Sequence, residues 1–326
     1  MGDRQVVALS GRTGRRLWVS AKIMTRIDRL LLHQDLLLAN GYYDGVAALD
    51  AASGTVRWRD REYESLGPAA VVGDVVLWQV SQGEPHFTHI LAYDLRMGRR
   101  RWEARHASGP LAVQGEWLYL FDEWTRMQLD NPDNVQIRVI NWRTGKELER
   151  WIYRADFNCT GVIGPESEEV VLHGAFVYIV DRCGERVSRF LRGGARNPLL
   201  RYSTFDHGRW VAGPYRGMLF FVTAGRHLLG VRVEGGRPKT VNRVKMPTGS
   251  PRYYEAADSA ISRVDLIGND VYVGQTDGWF HALDFQSGRR LFSVRSAGRR
   301  FGPTLRVGDY LIVQAEGEVL VVRAPR

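Results

Sequence analysis

The chain has 326 residues, 44% of them hydrophobic and 25% charged, with a formal net charge of +9 and a pI near 9.7. That apolar fraction supports a sizeable core and excludes global disorder, while 35 glycines and 10 tryptophans point to many short strands rather than helices. The basic excess is nearly all arginine, lysine standing only at Lys22, Lys146, Lys239 and Lys245; +9 over a whole surface is modest steering, which admits a polyanion as partner without demanding one.

From the N-terminus, Met1 to Gln5 is polar and the apolar stretch that follows is too short for a secretory h-region. No run approaches transmembrane length. The expectation is a soluble chain with no membrane span, bacterial-cytoplasmic or, with a leader removed, of the cell envelope. Cys159 and Cys183 are neither adjacent nor in a CxxC pattern, which excludes a metal cluster or disulfide framework. They read as two buried thiols, with a cross-strand pair as the alternative.

One phrase then recurs along the chain: a short apolar strand, often ending in Asp, a turn with Gly, and a strand with an aromatic. Its copies are Val6–Trp18, Val46–Trp58, Ile90–Trp102, Ile137–Leu148 and Phe280–Phe292, with degenerate copies around Gly194 and Gly236. The turn glycines Gly14, Gly54, Gly98, Gly145, Gly194, Gly236 and Gly288 are spaced by 40, 44, 47, 49, 42 and 52 residues. A blade of four short strands needs about 40–50 residues, so this period predicts a β-propeller of seven blades. A second phrase precedes the first: two apolar strands around a tight polar turn, as in Leu30–Ala39, Ala70–Trp78, Ala112–Leu120, Val170–Val180, Val264–Gly274 and Leu305–Val313. Six complete units follow, approximately 27–60, 67–104, 110–153, 160–204, 209–245 and 261–295. Residues 303–324 supply strands a, b and c, and residues 5–20 supply c and d, so the expectation is a single 1–326 domain whose last blade is closed by both chain ends. One conflict stands within it, because Val6–Leu9 and Val319–Val322 both have the pattern of strand c.

The repeat resembles the PQQ-like, quinoprotein-type propeller family, whose blades carry a phrase like xALDxxTGxxxW, and within it the non-catalytic branch similar to the barrel-assembly-machinery lipoprotein. The likeness is strong at Val46–Trp58 and Phe280–Phe292 and weak between about 155 and 260. It implies that Trp18, Trp58, Trp102 and Trp151 pack between blades as structural residues.

Three longer segments, Ser81–Thr88, Asp122–Val135 and Lys245–Ser262, fall on the b–c and d–a face of such a propeller. They offer His86, Phe87, Trp124, Arg126, Arg252, Tyr253 and Tyr254, residue types enriched at binding hot spots. The resulting expectation is a non-enzymatic propeller, monomeric within a complex, that presents these loops to protein partners and needs no cofactor. The alternatives are a PQQ- and Ca²⁺-dependent dehydrogenase and a sugar or polyanion sensor. Against the dehydrogenase, the chain has no adjacent cysteine pair of the kind the resemblance implies for the quinone site. The acidic and amide residues between Asp122 and Asn134 do not match a calcium-loop spacing. His86 and His89 form HxxH without an evident third ligand and are expected at the surface. The runs Arg99–Arg101, Arg289–Arg290 and Arg299–Arg300 are expected to form a solvated rim, and no hydrolase, P-loop or dinucleotide motif appears.

Overall fold

The computed structural model describes all residues except 1–4, 11–12, 42–43, 68, 83–86, 123–133, 155–168, 181–185, 196, 204–208, 224–226, 234–237, 247–260, 299–300, 317 and 326. Among the described residues every regular element is a strand. The fold is all-β, a seven-bladed β-propeller of mostly four-stranded antiparallel sheets. The chain divides into two compact units, Met1–Arg154 with Arg192–Arg196, and Ala155–Leu191 with Asn197–Arg326.

The first unit begins with the hairpin β1 (Val7–Leu9) and β2 (Arg16–Val19). Blade 1 is β3 (Arg29–His33), β4 (Leu36–Gly41), β5 (Gly45–Asp50) and β6 (Val56–Asp60), hydrogen-bonded in that order. In blade 2 the innermost strand is split into β7 (Glu64–Ser65) and β8 (Ala70–Val72), both pairing β9 (Val75–Gln82), followed by β10 (Phe87–Asp94) and β11 (Arg100–Arg105). Blade 3 is β12 (Ala107–Gln114), β13 (Trp117–Asp122), β14 (Asn134–Asn141) and β15 (Glu147–Arg154).

The second unit holds blade 4, β16 (Glu169–His173), β17 (Phe176–Val180), β18 (Arg186–Leu191) and β19 (Leu200–Ser203), and blade 5, β20 (Arg209–Tyr215), β21 (Met218–Val222), β22 (His227–Arg232) and β23 (Lys239–Lys245). Blade 6 is β24 (Ile261–Ile267), β25 (Asp270–Gln275), β26 (Trp279–Asp284) and β27 (Arg290–Arg295). The last blade has three strands, β28 (Phe301–Val307), β29 (Tyr310–Ala315) and β30 (Glu318–Arg323).

The conflict between the two copies of strand c is settled by local pairing. β1 hydrogen-bonds β2 and β30 hydrogen-bonds β29, so each terminal segment enters a sheet of its own rather than one shared four-stranded sheet. A sheet has one place for a third strand, and two segments with the same pattern cannot both take it.

The a–b turns are as tight as the Gly-Asp and Gly-Glu pairs predict: Val72 pairs Val75, and Gln114 pairs Trp117, across two-residue turns with Gly73 and Gly115 at positive φ. The second strand of a complete blade is covered on both faces, as in β21, where all of Met218–Val222 is buried. That explains why these strands read as continuous apolar runs rather than alternating ones. Clusters of such residues fill the space between successive blades, for example Leu38, Val46, Ala48 and Trp58 of blade 1 against Val76, Trp78, Leu91 and Tyr93 of blade 2.

Candidate functional site

The recurring phrase builds one edge of each sheet, where strand c turns into strand d. Its Asp or Asn caps the turn. Asp50 Oδ1 accepts from the backbone N of Ser53 (2.9 Å), Asp94 Oδ1 from Met97 (2.8 Å), Asn141 Oδ1 from Arg143 (2.9 Å) and Asp284 Oδ1 from Ser287 (2.7 Å). These are Asx turns, the reason short polar side chains suit the position. The glycine closes the turn; at Gly98, φ is +65° and an added Cβ would lie 2.5 Å from the Trp58 ring. No other residue combines that backbone with that approach.

The tryptophan four residues after each glycine ties neighbouring sheets together. Trp18 Nε1 donates to Ala51 O (3.1 Å), Trp58 Nε1 to Leu95 O (3.0 Å) and Trp102 Nε1 to Trp142 O (2.8 Å). Each acceptor directly follows the capping Asp or Asn of the next sheet. In each pair the tryptophan stands opposite an alanine of its own sheet: Ala8, Ala48 and Ala92. That small partner leaves room for the indole.

Trp151 departs from the series. It lies six residues after Gly145, and Glu149 holds the register of the other three. Its indole donates to Glu149 Oε2 (2.8 Å) and its ring lies 5.2 Å from that of Tyr119 in the same blade. The link onward is instead made by Tyr153, whose hydroxyl accepts from Gly194 N (3.3 Å).

The arginines of this edge are partly engaged. Arg57 pairs with Asp50, Arg96 with Asp35 (3.3 Å), Arg101 with both Asp74 and Asp94, and Arg143 with Glu116 (3.5 Å). The Arg57 guanidinium, aided by Ser53, brings the Asp50 carboxyl down to about 2. Arg101 likewise holds Asp74 and Asp94 below the ordinary range. A cleft of about 500 Å³ opens here in the first unit, lined by Gln34, Gly73, Asp74, Asp94 and Arg96 among others.

His86, Trp124, Arg126, Arg252, Tyr253 and Tyr254 lie outside the described residues, as do Cys159, Cys183 and Gly236. Phe87 opens β10 and pairs with Gln82, so pairing takes up most of the expected Ser81–Thr88 loop and leaves 83–86 between the strands. His89, expected at the surface, is 6% exposed; its Nδ1 lies 2.9 Å from Glu103 Oε1 and its ring 5.7 Å from that of His106. Burial first, then the nearby His89, lowers the affinity of His106 for a proton. Asp122, the first residue of the acidic loop, is 3% exposed and meets Arg150 at 3.1 Å. Its charge is balanced by that arginine.

In the second unit the acceptor position is served by residues the repeat motif does not mark. Asn242 Nδ2 donates to Phe285 O (2.8 Å), and Arg189 Nη1 donates to Val233 O (2.7 Å). In the structure Asn242 stands opposite Gly230, the counterpart of the alanines in the first unit, but no feature of the sequence marked it. His281 is fully buried in β26. Its Nε2 donates to Gln275 Oε1 (3.0 Å) and its Nδ1 accepts from Ser293 Oγ (2.7 Å). Burial, and secondarily Arg290, pushes it down to about 4.

A quinone site with calcium needs clustered carboxylates and amides free to ligate. Among the described residues no group of three or more His, Cys, Asp or Glu side chains is placed to hold a metal ion, and the capping aspartates are engaged in their own turns. Of the acidic and amide segment between Asp122 and Asn134, residues 123–133 lie outside the described residues.

Comparison with known proteins follows this geometry. The sequence profile of the family described as "Outer membrane protein assembly factor BamB" matches residues 2–213. Among solved structures, BamB from Moraxella catarrhalis is similar with a TM-score of 0.66 and 15% identity, over 98% of this chain and 91% of that one. A europium-containing methanol dehydrogenase is similar with a TM-score of 0.59 and 15% identity, over 95% and 78% of the two chains. The quinohemoprotein alcohol dehydrogenase from Comamonas testosteroni gives 0.63 and 12%, over 95% and 68%. No curated protein matches the sequence. At these identities the structural likenesses establish a shared fold and leave the chemistry to the site.

Proposed function

Because the chain belongs to the family of the outer membrane protein assembly factor BamB, we propose that it is a non-enzymatic scaffold that binds protein partners, by kinship within an outer-membrane protein assembly complex. The observation that carries this reading is the engagement of the repeat's signature side chains in architecture. Asp50, Asp94, Asn141 and Asp284 cap their own turns, and Trp18, Trp58 and Trp102 bond to neighbouring sheets. A rigid frame of this kind leaves recognition to the loops. The segments at 83–86, 123–133 and 247–260, with Trp124, Arg126, Arg252, Tyr253 and Tyr254, are the proposed contact elements, and no cofactor takes part.

The test is quantitative cross-linking and affinity capture with the intact chain and a variant carrying Trp124→Ala, Arg126→Ala and Tyr253→Ala. Reproducible partners captured by the intact chain and lost by the variant support the reading. Recovery of none, or equal recovery by both proteins, overturns it. The rival is a quinoprotein dehydrogenase, which shares the fold. A rise in melting temperature with PQQ and Ca²⁺, together with dye-linked alcohol oxidation, would replace the scaffold reading with that one.

A further inference from the structure

The strand-c-to-strand-d edge of the first unit carries cations that hold nothing in the fold. Four arginines of this edge are tied to carboxylates: Arg57, Arg96, Arg101 and Arg143. The position directly after the turn glycine behaves differently. It is Arg15 in the hairpin, Thr55 in blade 1, Arg99 in blade 2 and Lys146 in blade 3. Arg15, Arg99 and Lys146, with the adjacent Arg16, are exposed, and among the described residues none has a carboxylate at ion-pair distance. Solvation alone would not select this register for free charge in three turns out of four.

These turns lie at one level. Trp18 rests on the Gly54 turn, Trp58 on the Gly98 turn and Trp102 on the Gly145 turn, so the tips follow one another along the edge. Within three residues of each turn glycine stands an exposed apolar side chain: Leu17 (66% exposed), Met97 (61%) and Leu148 (44%) beside the cations, and Val56 (37%) beside Thr55. Alternation of free cations and apolar groups on protruding tips suits a surface that is negatively charged outside and apolar just beneath. It does not suit single-stranded nucleic acid, which needs aromatic platforms among the cations, because the repeat's indoles are engaged between sheets.

We propose that this edge of the first unit docks on an anionic phospholipid bilayer, with Arg15, Arg16, Arg99 and Lys146 meeting the headgroup phosphates and Leu17, Val56, Met97 and Leu148 entering the interface. Each cation near such a surface strengthens binding about fivefold, and salt weakens it. The contact is peripheral and reversible, and it is independent of any protein partner.

The test is flotation of the purified full chain with phosphatidylcholine vesicles, with and without phosphatidylglycerol. Binding to the phosphatidylglycerol vesicles alone, declining with salt, is expected. Arg15→Glu with Arg99→Glu should weaken it on the order of 25-fold or more. The control pair Lys22→Glu with Arg61→Glu changes the net charge equally, at exposed residues in the strand-d-to-strand-a connections of the opposite edge, and should leave most of the binding. Thr55→Arg fills the gap in the row and should tighten binding about fivefold, a gain that misfolding cannot mimic. Equal losses in both double variants would assign the effect to overall charge and overturn the proposal. So would no preference for phosphatidylglycerol vesicles, or retention on heparin without flotation. Because only lipid and purified protein are present, failure here leaves the scaffold reading standing.

Discussion

The two units solve one problem with different residues. The residue after each capping Asp or Asn donates its N–H back to the a–b turn of its own sheet, as Leu95 N does to Asp74 O (2.9 Å) and Phe285 N to Asn269 O (2.8 Å). Its carbonyl then faces the preceding blade and must find a donor there, because an unpaired buried carbonyl is costly. In the first unit the donor is an indole three times running. In the second it is an amide, Asn242, or a guanidinium, Arg189. What recurs along the chain is an acceptor to be satisfied; the tryptophan is one of several ways to do it. Where it is used, it also fills volume, as Trp58 does with its ring 5.8 Å from Trp78 and 5.9 Å from Tyr93.

The difference is sharpened by removing each donor in turn. Trp58→Ala deletes both the bond and a ring that is 9% exposed within a cluster of twelve buried residues. A loss of about 3–5 kcal/mol is expected. Trp58→Phe keeps much of the ring and should cost about 1–3 kcal/mol, chiefly for the orphaned Leu95 carbonyl. Urea midpoints measured on both variants separate packing from bonding. Equal losses would show that the indole acts through its N–H alone.

In the second unit, acid should act through one buried histidine. His281, pushed down to about 4 by burial, is neutral in the folded chain, while the unfolded side chain takes a proton near 6.5. As pH falls from the unfolded value through the folded one, the unfolded state binds more protons and stability drops. The full loss is about 3 kcal/mol by the span of that window. Stability above it is unaffected. Comparing the urea midpoint against pH for the native chain and His281→Gln checks this; the variant should show a shallower slope between about pH 6.5 and 4, and an unchanged slope would assign it elsewhere.

Asn242→Ala and Arg189→Met test the substitute donors. Each leaves one buried carbonyl unpaired, and each is expected to cost about 1–3 kcal/mol. Arg189→Met should fall toward the upper end, because its guanidinium also lies 4.7 Å from the Phe176 ring centre. If both variants are neutral, the bonds of the second unit are incidental and the likeness between units is one of geometry only.

Much of this architecture was legible in the sequence for a simple reason. A turn that demands positive φ at Gly98 and a capping side chain at Asp94 must be written in those residue types, so the period shows wherever the turn is kept. The inter-blade role of Trp18, Trp58 and Trp102 was legible for the same reason. Trp151 matches the series in type but lies six residues rather than four from its glycine, and its indole bonds Glu149 of its own strand. Asn242 and Arg189 were invisible, since a backbone acceptor constrains its donor only to have an N–H. The unshared terminal sheets depend on pairing, and two segments of one pattern say nothing about which ladder each joins. His89 was read as superficial from a local HxxH; in the structure it is buried beside Glu103 of the next strand and His106 of the turn that follows.

The smallest effect expected concerns the capping position itself. Three of the well-formed turns use Asp, and blade 3 uses Asn141 in the same role, accepting from Arg143 N (2.9 Å) and Thr144 N (3.2 Å). Its amide also reaches Glu116 Oε2 at 3.4 Å, a longer contact on an exposed edge. Asn141→Ala removes both turn bonds at a site where water can replace them, so about 0.5–1.5 kcal/mol should be lost. Asn141→Asp keeps the acceptor oxygen, adds the charge found in the other turns beside Arg143, and should be nearly neutral, apart from repulsion by Glu116. Urea midpoints of the two variants separate the explanations. If Asn141→Asp is as harmful as the alanine variant, the Glu116 contact rather than the cap is what the asparagine supplies, and blade 3 is no exception to the Asp rule by chance.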